Sequence, residues 1–243
     1  MDPRIYVRMR QIEDQHWWFS ARRTIVSKVI ASLPLPRPAR ILDAGCGTGG
    51  NLESLTAFGN VIGVEAEDAA IDMARSRGVA TVYKGSLPDN MPAESAQCDL
   101  VVMTDVLEHI DADRDSLVTI KSLMKAGAHL LLTVPAFPFL WGLHDTQHHH
   151  KRRYVAATLR ATITAAGLQV VHLSYFNTLL FPLVAAVRLM EKMRPPGNGT
   201  GDLELPGPLV NRTLEAIFAS ERHVLTRASL PFGVSLLAVA RKT

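Results

Sequence analysis

The stretch Ile41 to Asn51 reads ILDAGCGTGGN and decides what the rest of the chain is for. Its apolar start closes on Asp43 and Ala44, and Gly45, Gly47 and Gly50 then fall in the spacing G-x-G-x-x-G. An apolar run that breaks into closely spaced glycines is a strand ending in a tight turn. Without β-carbons the backbone of that turn can come close to a ligand before the next helix opens. Twenty residues beyond Gly45, Glu65 ends a second apolar run, Asn60 to Glu65 (NVIGVE), placed to accept hydrogen bonds from two ribose hydroxyls.

Nicotinamide dinucleotides and S-adenosylmethionine share both features, so the glycines alone do not choose between them. Asp43 does discriminate. In a dinucleotide site the turn and the helix N-terminus face a pyrophosphate, which a neighbouring carboxylate repels. A ligand carrying an ammonium and a sulfonium is attracted instead. The residue just before the glycines therefore favours S-adenosylmethionine.

Outward from this stretch, short apolar runs alternate with helical segments. The runs are Arg40–Ala44, Asn60–Glu65, Val79–Tyr83, Cys98–Thr104 and Ala128–Pro135. Such alternation predicts a parallel sheet with helices on both faces. Upstream, Ile25, Val26, Val29, Ile30 and Leu33 fall at helical spacing over 21–33, and Pro34, Pro36 and Pro38 end that helix. Residues 136–154 (AFPFLWGLHDTQHHHKRRY) lack periodicity and are rich in aromatic and ionisable groups, as functional loops are. A helix over 156–167 and a sixth strand over 168–176 follow. Then come an apolar helix (178–193), a flexible PPGNGTG linker (195–201) and a helix with Leu209, Val210, Leu214, Ile217, Phe218, Val224 and Leu225 on one face. A last strand, 233–242, closes the chain.

With 243 residues, 47% apolar and 20% charged, one large domain with a full core is expected. The net charge of +3 is too small for a general nucleic-acid binder, although His148 to Arg153 is locally basic. Cys46 and Cys98 make neither a disulfide framework nor a C-x-x-C pair, so a reducing, cytoplasmic setting is expected. The N-terminal residues lack the apolar core of a signal peptide. The longest apolar run, Leu179 to Val187, has nine residues against roughly 20 needed to span a bilayer. Peripheral contact with the inner membrane stays open.

The ordered set LDAGCGTG, then Asp105 to Ile110 (DVLEHI), then MKAGAHLLLTVP and the terminal GVSLLAVARK resembles the class I S-adenosylmethionine-dependent methyltransferases. The resemblance runs from about Arg40 to Val134, with further matches to the end. It is more particular to bacterial members with HWWF..RR, here His16 to Arg23, and LW..HD....H..RRY, here Leu140 to Tyr154. It implies an α/β, doubly wound, seven-stranded, mostly parallel sheet of order 3-2-1-4-5-7-6 with the last strand antiparallel. It also implies an N-terminal helical lid (1–38) and a Rossmann-like domain (39–243) with a helical insertion at about 178–230.

Carried over by position, Asp43 and the backbone of Ala44, Gly45 and Gly47 hold the methionine end of S-adenosylmethionine. Glu65 takes the ribose, Ala66 flanks the adenine and Leu87 covers its edge. Ser86 stands where many relatives have Asp, so a hydroxyl or backbone group replaces that contact. Thr104 and Asp105 end the fourth strand beside the sulfonium, while Glu108 and His109 are expected to cap and pack. Trp17 and Trp18 anchor the first helix; with Trp18 at the site, Arg22 or Arg23 reaches the cofactor carboxylate as part of a lid. His144 or His148 takes a proton from an attacking hydroxyl or amine, with Asp145 orienting a histidine or the substrate. No metal is expected, because consecutive histidines cannot converge on one ion and no carboxylate or thiol at ligand spacing completes a set.

The expected reaction is in-line methyl transfer to a hydroxyl or amine, O-methylation preferred, leaving S-adenosylhomocysteine. The acceptor is a small molecule, with glycan-, quinone- and lipid-linked acceptors in view, and no nucleic acid. The helix after Leu179 serves as a pocket lid or a membrane contact. The rival readings are an NAD(P)-dependent oxidoreductase of similar topology and a non-catalytic S-adenosylmethionine-binding regulator.

Overall fold

The ILDA run lies in β1 (Ala39–Ala44), the strand from which the sheet grows in both directions. A computed structural model describes residues 3–192 and 204–243, so the PPGNGTG linker lies outside the described residues. β1 pairs in parallel with β2 (Gly59–Glu65) on one side and β4 (Cys98–Thr104) on the other. β2 continues to β3 (Thr81–Lys84), and β4 to β5 (Met124–Pro135). β7 (Ser235–Arg241) runs antiparallel between β5 and β6 (Gln169–Phe176), with Leu131 opposite Val239 and Leu173 opposite Ala238. The order is β3-β2-β1-β4-β5-β7-β6, as the resemblance implies. The central strands are apolar without alternation because helices cover both faces.

One face is covered by α2 (Trp17–Ala31) and α9 (Pro208–Ser220), whose Ile25, Val29, Ile30 and Phe218 pack with Ile41, Leu100, Leu131 and Phe176. The other carries α5 (Asp113–Leu123) and α7 (Ala156–Ala165), with Leu117, Ile120, Leu159 and Ile163 against Leu42, Val101 and Leu130. Each such Leu, Ile or Phe contributes about 1.5–3 kcal/mol by leaving water. Because α2 shares the sheet's own core, it is part of the sheet's packing as well as of any lid.

The structure departs from the sequence reading in several places. α2 begins at Trp17, because the His16 side chain accepts a hydrogen bond from the Trp18 amide and caps the helix four residues before Ala21. A helix α1 (Pro3–Ile12) precedes it. Residues 136–154 contain a short helix, α6 (Leu143–Gln147), within otherwise irregular chain. The helical segments expected after the first two strands are present as α3 (Leu52–Thr56) and α4 (Asp68–Ser76), and the apolar helix expected after β6 is present as α8 (Phe181–Lys192). In the α9 region Phe218 and Leu225 are buried, but Leu209, Val210 and Val224 are exposed and do not share their face. No helix among the described residues is long and apolar enough to cross a membrane.

Candidate functional site

The sheet order reverses between β1 and β4, and a cavity of about 720 Å³ opens at the carboxyl ends of these strands. This is where open α/β sheets bind ligands. Its floor is the opening stretch. Gly45 and Gly47 sit at φ +79° and +54°, a region that costs most residues strain. A β-carbon on Gly45 would lie 2.6 Å from Val106 Cγ2, whereas one on Gly47 would have nothing within 4 Å. The first glycine is required by packing, and the second leaves backbone bare at the cavity wall.

Glu65 is oriented by the same turn. Its Oε2 accepts from the Gly47 amide at 2.9 Å, and its Oε1 from the amides of Ala66 (2.9 Å) and Glu67 (3.1 Å). A carboxylate has about four acceptor sites, so capacity remains for ribose hydroxyls. Ala44, Ala66, Ser86, Leu87, Thr104 and Asp105 line the cavity as well. Thr104 Oγ1 accepts from Asn51 Nδ2 at 2.8 Å. Ser86 is tied to Asn90 through the backbone in both directions and lines the cavity.

Asp43 differs from the other candidates because its side chain is fully buried and does not line the cavity. Neither carboxylate oxygen has a hydrogen-bond partner among the described residues. Burial pushes its pKa up to about 7, opposed by Arg22 and reinforced by Glu65. A buried carboxylate without a partner, beside a bare glycine turn and a ribose-type acceptor, suits a cationic ligand; the donor set fits S-adenosylmethionine and disfavours a pyrophosphate.

The other wall comes from the N-terminus. Arg22 and Trp18 both line the cavity, and Arg22 Nη1 donates to Asp105 Oδ2. Asp105, at φ +55°, also accepts from Thr133 Oγ1 at 2.9 Å. Trp18 packs on Phe218 with ring centroids 5.2 Å apart, which is the anchoring role. α1 is fastened to the glycine turn through Glu13, which takes Thr48 Oγ1 and Arg77 Nη2 (2.6 Å), while Arg77 Nε bonds the Thr48 carbonyl. Tyr6 and Met9 of α1, and Glu13 just beyond it, join the cavity wall.

The loop after β5 supplies the remaining polar groups. His144 and His148 line the cavity with their rings stacked 4.0 Å apart. Burial holds both below the usual histidine range, His148 at about 4, with neighbouring histidines acting in the same direction. Asp145 is fully buried and does not reach the cavity, so contact with a substrate gives way to positioning. It accepts from Arg153 Nε (2.8 Å) and Nη2 (2.9 Å), from the Gly142 amide (2.8 Å), and from His150 Nδ1 (2.9 Å). Burial raises its pKa, but the bonds from His150 and Arg153 outweigh this and hold it well below the carboxylate range. The histidine it orients is thus His150.

Glu108 and His109, expected to cap and pack, also line this cavity. Burial, then the Asp105 charge, raises Glu108 well above the carboxylate range, and burial lowers His109 to about 3. Their approach to His150 had no signal in local spacing.

The profile of the methyltransferase domain family matches residues 15–173, well over half of the chain. The chain belongs to that family. A ubiquinone biosynthesis O-methyltransferase of Roseobacter denitrificans is 33% identical over 93 residues, covering 36% of this chain and 38% of the relative. A malonyl-[acyl-carrier protein] O-methyltransferase of Enterobacter lignolyticus is 25% identical over 200 residues, covering 79% and 76%. The chain therefore spans little more than a third of the first relative and three-quarters of the second. Among solved structures, a chain of the Haloferax volcanii complex with the Trm112 methyltransferase activator superposes with TM-score 0.63 at 19% identity, covering 97% of this chain and 93% of that one. At that identity the likeness is one of fold, and the fold is the class I Rossmann-like sheet.

Proposed function

We propose that this methyltransferase uses S-adenosylmethionine to methylate a hydroxyl of a small molecule with an apolar portion. The observation that carries the reading is one cavity shared by the Gly45–Gly47 turn, Glu65 and Asp105 on one side and His144 and His148 on the other. When bound, S-adenosylmethionine supplies a methyl already activated on a sulfonium and leaves as S-adenosylhomocysteine after in-line displacement. The glycine turn and Glu65 hold the donor, with Asp43 providing negative charge from below. Arg22 fixes Asp105 at the end of β4, and α1 with the first turn of α2 forms the lid that excludes water. His148 accepts the proton of the attacking hydroxyl and His144 stacks against it. Most of the acceleration comes from alignment, which this rigid sheet edge suits.

Support for an oxygen acceptor comes from the two relatives, both named O-methyltransferases. Support for an apolar portion comes from Leu183, Val184 and Val187 of α8, which line the cavity. The test is transfer of a labelled methyl to a panel of phenols, carboxylates and aliphatic alcohols bearing apolar tails. His148→Ala should lower kcat by about 10²- to 10⁴-fold, the usual range for a general base, with cofactor affinity kept. Full activity in that variant removes His148 from the site.

A further inference from the structure

We propose that Glu108, His109 and His150 form a binding site for one divalent first-row transition cation on the acceptor side of the cavity. One ligand atom from each lies within 4.8 Å of the others. Two nitrogens on a tetrahedral ion with bonds of about 2.0–2.1 Å sit roughly 3.4 Å apart, so modest side-chain rotation closes the set.

Two further observations point to a ligand. Glu108 is fully buried, lines the cavity, and neither of its carboxylate oxygens has a hydrogen-bond partner among the described residues. A carboxylate in that position is costly unless a cation meets it. His150 is held by its other nitrogen: Nδ1 donates to Asp145, itself braced by Arg153, which leaves the Nε2 lone pair for a metal. A carboxylate orienting a histidine through its remote nitrogen is the outer-shell arrangement that fixes metal-ligating imidazoles. Two imidazoles and one carboxylate suit zinc, iron, cobalt or manganese and leave coordination positions open for substrate, whereas magnesium prefers an all-oxygen set.

His144, His148 and His150 also bring ligand atoms within 4.8 Å. That trio lacks a carboxylate to offset the cation, and its first two rings are stacked face to face. The objection that consecutive histidines cannot converge still holds for 148–150. It does not apply to a set drawn from the turn after β4 and the loop after β5. The role of the ion rests on the reading above: a cation here would take the acceptor oxygen on an open position and ease loss of its proton to His148.

The experiment titrates chelator-treated full-length protein with Co²⁺, following visible absorption and metal content after gel filtration. The expected result is saturation near one equivalent. Glu108→Gln and His150→Ala should each weaken uptake at least tenfold, with S-adenosylmethionine affinity and melting temperature verifying the fold. No saturable uptake by the parent protein overturns the site. So does uptake that survives Glu108→Gln but is lost in a His144→Ala, His148→Ala double variant, which moves the ion to the histidine trio. Cobalt binding without any methyl transfer leaves the metal site standing and counts against the proposed reaction. Full-rate transfer by metal-free protein leaves the reaction standing and removes the ion's part in it.

Discussion

Asp43→Asn should stabilise the protein while weakening its hold on the cofactor. The Asp43 carboxyl is fully buried, lacks partners among the described residues, and titrates at about 7 instead of its ordinary value near 3.8. A folded-state pKa raised above the unfolded value means that the native state binds the proton more tightly between those limits. Stability is then lost as pH rises from about 4 to about 7, and stays low above that. At 1.36 kcal/mol per unit the full cost is roughly 4 kcal/mol, most of it accruing above pH 5. Asparagine keeps the shape and is always neutral, so it mimics the protonated form. For a chain of this size, 1 kcal/mol moves the melting temperature by about 2–4 °C, which predicts a rise on the order of 10 °C at pH 8 and little at pH 4. The cofactor should report the opposite. An opposite charge nearby lowers a carboxyl pKa by about one to three units, so ligand binding favours the ionised form. Affinity in the parent protein should therefore tighten at least about tenfold from pH 5 to pH 8, relative to the variant, whose ratio cancels titration of the ligand itself. Calorimetry with S-adenosylhomocysteine and thermal melts at pH 4, 5 and 8 measure both. A variant that melts no higher than the parent at pH 8 would refute the unpartnered carboxylate. Equal affinities at all pH values would refute its place beneath the ligand.

Glu65→Gln keeps the bonds it can still accept but loses the charge behind them, so cofactor affinity should fall about 10- to 100-fold by equilibrium dialysis. Gly45→Ala meets Val106 at 2.6 Å and a positive φ together, so it should cost several kcal/mol; adding Val106→Ala should recover only the steric part in urea melts. Asp145→Ala strips a buried guanidinium and imidazole of their partner and should destabilise by about 3–5 kcal/mol, with cofactor affinity little changed because Asp145 does not reach the cavity. An Asp145→Ala protein that melts like the parent would show that Arg153 finds another partner.

The fold was legible because its signal is local. Apolar runs such as ILDA and LVVMT must be buried on both faces, and the glycine turn and Glu65 mark where strands end. α1 was not legible: in Pro3 to Ile12, Arg4, Arg8 and Arg10 break up the apolar residues, and Glu13 just beyond fastens it to the glycine turn through Thr48 and Arg77. The outward turn of Leu209 and Val210 was hidden for the converse reason. Apolar spacing says which residues share a face, but not how much of that face the neighbours reach.

The acceptor side of the cavity was the least legible part, and the sheet order explains why. Glu108 and His109 follow β4, and His144 to His150 follow β5, more than thirty residues later in sequence. β4 and β5 are neighbours, so the two loops leave the sheet side by side, and the Lys151 amide bonds the Glu108 carbonyl at 2.8 Å to join them. Read along the chain, Glu108 is a residue in a capping turn and His150 is one of three consecutive histidines. Once the strands are adjacent, the same residues bring a buried carboxylate and an oriented imidazole together. Spacing within one loop spoke only to the consecutive His148, His149 and His150. It could not speak to a set divided between two loops, because that set exists only in the pairing of β4 with β5.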